Sequence, residues 1–343
     1  MILAHTLPVA VTTGPVTINQ DIKALVCGSR ILPEFLHAVF AGQAEWLLSQ
    51  ADSSAHGTRK LETEVLQRFE VPCPPLDLQR KIVTAMQLQA TDLDEVVAAK
   101  RRVLELLAEK RKAIIATAIT RGLDPNVKLR DSSVQWLGEI PAHWETKRLK
   151  YLGQAIIGLT YAPADAVTDG SGTLVLRASN VQEQRIVLDD NVFVATAIPS
   201  ELVTRLDDIL ICSRSGSRAL IGKCALIGPE SEGMSFGAFM MVFRGEYNSY
   251  LFHVFNSPLF EYQAGAFGTS TINQLTVETL SNMEVPLPPD DERQAIVDHI
   301  IRETEKLDAV RVATERTIAL LKERRSALIA AAVTGQLDME AAA

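Results

Sequence analysis

The chain contains one long stretch twice. Residues 71–124 open with VPCPPLDLQRKIV and close with KRRVLELLAEKRKAIIATAITRGLD; residues 285–338 open with VPLPPDDERQAIV and close with ERTIALLKERRSALIAAAVTGQLD. The second copy starts 214 residues after the first, and the match runs without a gap from Val71/Val285 to Asp124/Asp338. Pro72/Pro286, Pro75/Pro289, Ile82/Ile296, Leu93/Leu307, Leu107/Leu321, Arg111/Arg325 and Leu123/Leu337 are identical pairs. Self-similarity of this length at one offset marks a duplicated structural unit. Any fold for the chain has to hold two equivalents of it.

Each copy has the grammar of one long helix. A proline pair stops the incoming chain, and an acidic first turn follows: Asp77 in one copy, Asp290, Asp291 and Glu292 in the other. Apolar residues then recur at heptad spacing. One seam is Ile300, Leu307, Leu321 and Leu328 with Ile296 and Val310 beside it, and the other is Met86, Leu93, Leu107 and Ile114 with Ile82 and Val96. Lys100, Lys110, Thr314 and Arg324 interrupt the seams, which weakens a coil while helping to set its register. A helix of about 45 residues spans roughly 65–70 Å at 1.5 Å per residue and cannot bury its stripe alone. The expected solution is that the copies pack on each other as a long coiled coil, antiparallel if the duplication is also a twofold in space; two separate core helices are the plainer alternative.

The duplication extends upstream. The runs LPVAVTT, INQDIKALVC and ILPEFLHAVFAGQAEWLLSQ within residues 1–70 follow the same order as ALIGPESEGMSFGAFMMVF and YNSYLFHVFNSPLFEYQ within residues 225–263. Phe35-Leu36 falls on Tyr250-Leu251, and the polar stretches SSAHGTRKL and GTSTINQL follow in both. The repeat runs out at Met1, so residues 125 to about 215 have no first-copy counterpart. The expected organisation is 1–70 as the later part of a β-rich domain, 71–124 as a helix, 125–284 as the complete β-rich domain, 285–338 as the second helix, and 339–343 as a tail. Short alternating strands between Gly, Asp and Ser turns over 125–284 predict a curled, mostly antiparallel sheet with its helix late. The fold class is α+β.

Several features in order resemble one family. IPAHWETKRL, LRASNV, DDILICSRSGS with IGKCALI, the STINQL loop, VPLPPDDERQAIV and RRSALIAAAVTGQLD together resemble the DNA-specificity subunit of type I restriction-modification systems. The resemblance covers nearly the whole chain. It implies β-rich target-recognition domains alternating with spacer helices that pair as an antiparallel coiled coil. It further implies that each recognition domain reads one half of an interrupted sequence in double-stranded DNA. The helices would set the half-site spacing and dock DNA methyltransferase subunits, two of them, with a restriction/translocase subunit reached through these. The family has no catalytic activity of its own, and no cofactor is implied.

The residue inventory agrees with a binder. The two proline pairs lack the carboxamide before and the aromatic after that an adenine methyltransferase tetrad needs, and no GxGxxG, Walker loop or nucleophile elbow appears. The six histidines, His143, His253 and His299 among them, lack carboxylate or Cys partners at ligand spacing and read as ordinary core or surface residues. Cys27, Cys73, Cys212 and Cys224 are scattered and read as buried thiols of a reducing cytoplasm. No stretch approaches the roughly 18–20 apolar residues of a membrane span.

Base edges are read by Arg, Lys, Asn, Gln, Ser and Thr, and phosphates by basic side chains, hydroxyls and backbone N–H groups. Four loops concentrate them: Thr160-Tyr161; Arg177, Ser179 and Asn180; Ser213, Arg214, Ser215, Ser217 and Arg218 with Lys223; and Thr269, Ser270, Thr271, Asn273 and Gln274. The plain alternative for each is a polar turn, with Asn180 a turn cap. On the helices, Arg111, Ile115, Arg325 and Ile329 are the candidate partner-binding residues, because the Ala-rich tails IIATAIT and LIAAAVT are more apolar than a two-helix coil requires.

Charge sets a condition on this reading. The net charge is −8, and residues 140–280 alone carry ten Lys and Arg against fourteen Asp and Glu. A DNA reader of that balance needs a local positive face or partners that supply the phosphate contacts. The half domain at the N-terminus leaves three explanations open: completion by a trans-complementing fragment, a misplaced start, or a truncated remnant with one working recognition domain, in which case a second copy would associate to read a symmetric interrupted site. A coiled-coil scaffold that binds the methyltransferase and reads half a site or no DNA is the alternative function.

Overall fold

A computed structural model describes residues 2–3, 7–53, 59–134, 137–266 and 274–336. Its helices are α1 (Pro33–Gly42), α2 (Ala44–Ser49), α3 (Thr63–Arg68), α4 (Leu76–Arg121), α5 (Asn248–Phe255), α6 (Pro258–Ala266), α7 (Val277–Asn282) and α8 (Asp290–Val333). The duplicated stretches are thus two single helices of 46 and 44 residues. No helix among the described residues is long and apolar enough to cross a membrane. The chain divides into two compact units, residues 1–106 with 309–343, and residues 107–308.

The first unit holds α1 to α3, the start of α4 and the end of α8. Three short strands, β1 (Ile2–Leu3), β2 (Asp52–Ser53) and β3 (Arg59–Lys60), form a small antiparallel sheet. Its core gathers Phe35, Ala38 and Val39 of α1, Ile82 of α4, and Ala332 and Val333 of α8. Ile82 lies early in α4 and Ala332 late in α8, so the helices run antiparallel here, and Arg325 Nε stands 3.2 Å from Asp94 Oδ1. At Gly42 an added Cβ would lie 2.9 Å from Ala330 Cα, so only glycine lets the end of α1 approach α8 this closely. Gln79 is fully buried and closes the corner before α4: its Nε2 donates to Pro74 O (2.7 Å) and Arg30 O (2.9 Å), and its Oε1 accepts from Leu32 N (2.8 Å).

The β-like runs expected at LPVAVTT and INQDIKALVC are not strands: residues 7–31 run as irregular chain, with Val16 63%, Ile22 55% and Val26 95% exposed. The second unit supplies the reason. There the matching segments are strands β14 and β16, and every strand they pair with in the sheet described next lies within residues 153–212. Strands are stabilised by neighbours and not by local propensity. The first copy has no such neighbours among the described residues.

The second unit is built on β4 (Leu129–Asp131), β5 (Glu139–Pro141), β6 (Glu145–Arg148), β7 (Gly153–Ile157), β8 (Ala166–Val167), β9 (Thr173–Leu176), β10 (Val181–Gln182), β11 (Arg185–Ile186), β12 (Phe193–Val194), β13 (Ile209–Cys212), β14 (Cys224–Leu226), β15 (Ser235–Phe236), β16 (Met240–Gly245) and β17 (Glu284–Leu287). One four-stranded antiparallel sheet has the order β14-β13-β16-β7, and a second has the order β15-β9-β12-β8 with β15 and β9 parallel. Three further pairs, β4–β5, β6–β17 and β10–β11, complete it. The first sheet packs one face on Trp144, Tyr250, Phe255 and Phe260, together with Ile115, Ala118 and Ile119 of α4 and Ile296, Val297 and Ile300 of α8. Tyr250 Oη ties these parts by donating to Pro286 O at 3.1 Å. Again the helices are antiparallel: Arg111 Nη1 meets Asp308 Oδ2 at 2.9 Å, while Ile119, later in α4, approaches residues earlier in α8.

The helix seams keep the heptad spacing but not all of the predicted members. Val97 is 8% exposed and faces inward where Val96, at 43%, points out; Val310 is 48% exposed, and Thr304, Thr314 and Ile318 take the buried positions. Lys110 and Arg324 are exposed, and the charges at the seam are Arg111 and Arg325. Two other expectations change. His143 does have a carboxylate partner, with Nε2 2.5 Å from Glu292 Oε1, and Glu292 Oε2 accepts from Trp144 Nε1 at 2.8 Å. Cys212 and Cys224 are buried, whereas Cys73 is exposed and Cys27 intermediate; burial pushes the Cys224 thiol up to about 12.

Candidate nucleic-acid interface

The register of the first sheet carries three loops to one end. Cys212 pairs with Met240, Ile157 with Met241 and Ile211 with Cys224, so β13 ends, β7 ends, β14 starts and β16 starts at the same edge. Residues 158–161, 213–218, Lys223 and 237–239 therefore emerge together. Leu159 N donates to Phe236 O (2.7 Å) and Gly158 N to Met240 O (3.1 Å). A Cβ at Gly158 would sit 2.3 Å from Gly237 O and 2.4 Å from Phe236 O, so the two loops touch through bare backbone. The parallel β9–β15 pair adds the 177–180 loop to the cluster, with Gly237 N donating to Leu176 O (3.0 Å) and Lys223 Nζ to Ala178 O (3.2 Å). Gln274 joins by a bridge to Arg214, and Leu275 N donates to Ser213 O (2.8 Å).

Within this edge the candidates divide by exposure. Thr160, Ser179, Arg214, Ser217 and Arg218 are exposed; Ser215, Lys223 and Gln274 are half-buried, and Tyr161 packs its ring toward Leu159, Val175 and Val194. Ser213 is buried and gives its hydroxyl to Phe239 O at 3.0 Å. Arg177 is half-buried and its guanidinium meets Asp190 Oδ2 at 2.8 Å. Asn180 is a correction. Its side chain is fully buried, Oδ1 accepts from Arg177 N (2.9 Å) and Nδ2 donates to Val187 O (2.9 Å), so it shapes the loop from inside and offers nothing to a ligand. Thr269, Ser270, Thr271 and Asn273 lie outside the described residues.

One residue at this edge escaped the sequence reading. Phe239 is 59% exposed, and the Arg214 guanidinium lies 5.5 Å from its ring centroid. In SFGAFMMVF it reads as one more apolar residue of a strand, and only the fold shows that it turns outward just before Met240 turns in.

The partner-binding candidates on the helices fare unequally. Ile115 is 2% exposed inside the core of the second unit, a second correction: the Ala-rich end of α4 is covered by this chain's own sheet and helices. Arg111 and Arg325 hold intramolecular ion pairs with Asp308 and Asp94. Ile329 is half-buried and lines a groove with Arg325, Val83, Met86 and Ala90.

The family model described as the type I restriction modification DNA specificity domain matches residues 141–316, just over half of the chain. The chain belongs to this family. The curated relatives it matches are named as specificity subunits. Among relatives, the type I restriction enzyme EcoKI specificity subunit of Escherichia coli (strain K12) is 27% identical over 211 residues, 58% of this chain and 44% of that one. The StySPI specificity subunit of Salmonella potsdam is 28% identical over 211 residues, with the same coverage of 58% and 44%. The chain thus spans about half the length of these specificity subunits. A solved chain described under "Structural basis underlying complex assembly and conformational transition of the type I R-M system" shares the fold, with a TM-score of 0.67 at 19% identity over 89% of this chain and 72% of that one.

Proposed function

We propose that this chain is a non-catalytic, sequence-reading subunit that directs a type I methyltransferase or restriction complex to double-stranded DNA, and that residues 125–284 are its complete target-recognition domain. The observation that carries the reading is the convergence of four loops, far apart in sequence, on one sheet edge bearing Arg214, Arg218 and Lys223 with hydroxyl and amide neighbours. Cations position phosphates, and the shorter polar groups and Arg reach base edges. The domain is acidic as a whole, so the chain binds DNA weakly alone and gains its phosphate contacts from methyltransferase subunits seated on the helices around Arg325 and Ile329. Such a complex works in the cytoplasm on an interrupted target whose half-sites are spaced by α4 and α8. In the first unit, residues 1–70 are the later part of a first recognition domain.

The test is Arg214→Ala with Arg218→Ala in the reconstituted complex. Site-specific affinity is expected to fall and the slope of log affinity against log salt to flatten by about one to two. Full affinity with an unchanged slope in the double variant would leave the chain a scaffold that does not read DNA.

A further inference from the structure

From the loop edge we infer that Phe239 is a base reader: its ring contacts the 5-methyl group of a thymine in the major groove, beside a base or phosphate held by Arg214. The inference rests on the DNA-recognition reading above and names what that edge would read.

Three observations support it. First, the ring is presented and not merely left over. The Phe239 carbonyl accepts three hydrogen bonds, from Ser213 N (3.0 Å), Ser213 Oγ (3.0 Å) and Arg214 N (3.1 Å). Met240 N donates to Gly237 O at 2.8 Å, which closes the turn on its other side. The backbone under an exposed aromatic is therefore fixed, which is what a reading group needs if it is to discriminate by position. Second, its neighbours Phe236, Met240 and Met241 are fully buried, whereas Phe239 is exposed. Those side chains fill the core, so Phe239 adds nothing to it. Third, Arg214 lies over the ring, and its Nη2 donates to Gln274 Oε1 at 2.9 Å. One face of the phenyl is thereby taken and the guanidinium is aimed, while the remaining ring surface stays open at the loop edge.

Thymine alone among the four bases carries a methyl group in the major groove, and an aromatic ring is one of the apolar groups that contact it. Burying one methyl-sized group changes affinity about fourfold. The Phe–Arg pair joins an apolar surface to a polar reader, which together distinguish a thymine from a cytosine that offers a donor and no methyl.

The experiment uses the full chain in its methyltransferase complex and a pool of random-sequence duplexes, selected for binding and sequenced. The enriched duplex is then remade with deoxyuridine at each thymine in turn, and bound to wild type, Phe239→Ala and Phe239→Leu, with melting curves confirming that the exposed substitutions leave the fold intact. The expected result is one thymine whose replacement weakens wild-type binding about fourfold, with Phe239→Ala equally weakened on the thymine duplex and indifferent to deoxyuridine there. Phe239→Leu is expected to keep part of the preference. If Phe239→Ala keeps the wild-type sensitivity to deoxyuridine, the inference is wrong while DNA recognition stands. If Phe239→Ala loses affinity but no thymine methyl matters, the ring acts as a wedge between bases and the methyl contact is overturned. Failure of the wild-type complex to enrich any motif overturns the recognition reading, and this inference with it.

Discussion

Asp208 holds the end of the first sheet opposite the loop edge, and removing it should unfold the second unit early. Its side chain is 2% exposed and that of Arg244 is 19% exposed. The pair is bidentate, with Arg244 Nη2 to Asp208 Oδ2 at 2.6 Å and Nε to Oδ1 at 2.9 Å. Arg244 Nη2 also donates to Val203 O at 2.9 Å, and Asp208 Oδ2 accepts from Arg205 N at 2.9 Å, so the pair joins β16 to the chain entering β13. Asp208→Ala strands a mostly buried guanidinium, which costs about 3–5 kcal/mol. For a unit of this size about 1 kcal/mol moves the melting point by roughly 2–4 °C, so calorimetry should show a fall of roughly 6–20 °C. Asp208→Leu combined with Arg244→Met should recover most of it, because an apolar pair of similar volume replaces a buried ion pair at little cost. Hydrogen exchange in β16 should rise in the single variant and return in the double. If Asp208→Ala melts within 2 °C of wild type, the pair is not buried as described and the reasoning fails.

Two further predictions follow from the same geometry. Burial, and then the positive Arg111 nearby, lower the His253 pKa from its ordinary 6.5 to about 4. The unfolded chain alone takes up that proton between these values, so stability is full above about pH 6.5 and falls toward pH 4 by up to about 3 kcal/mol; urea titrations across that range should lose this slope in His253→Asn. Gly158→Ala puts a methyl where the Gly237 and Phe236 carbonyls now sit, so it should separate the 158–161 and 237–239 loops; site-specific binding should drop at least tenfold while the melting point moves far less than in Asp208→Ala, and unchanged binding would show that the loops do not act together.

The helices were legible because helical periodicity is local: a proline pair, an acidic turn and a heptad stripe are all read within one stretch. What blurred was phase. Val96 and Val97 are adjacent and both apolar, and only packing decides that Val97 turns inward. The same shift puts Arg111 and Arg325 on the seam in place of Lys110 and Arg324. Strand runs in residues 7–31 were misread because a strand is made by its neighbours, and the matching neighbours in the second unit come from residues 153–212. At the site, three loops chosen for polar residues do meet at one sheet edge, joined by Gln274 of the fourth. Composition could not separate Asn180, spent on its own loop, from Arg214 at the surface. The pairing of His143 with Glu292 spans 149 positions and has no local signal at all.

The central claim is that this chain selects the DNA sequence on which a methyltransferase acts. The direct measurement is to co-express it with a type I methyltransferase subunit and map methylated adenines in the treated DNA. The account predicts a stable complex and methylation at one interrupted motif. A methyltransferase that neither binds this chain nor gains a motif from it would contradict the account.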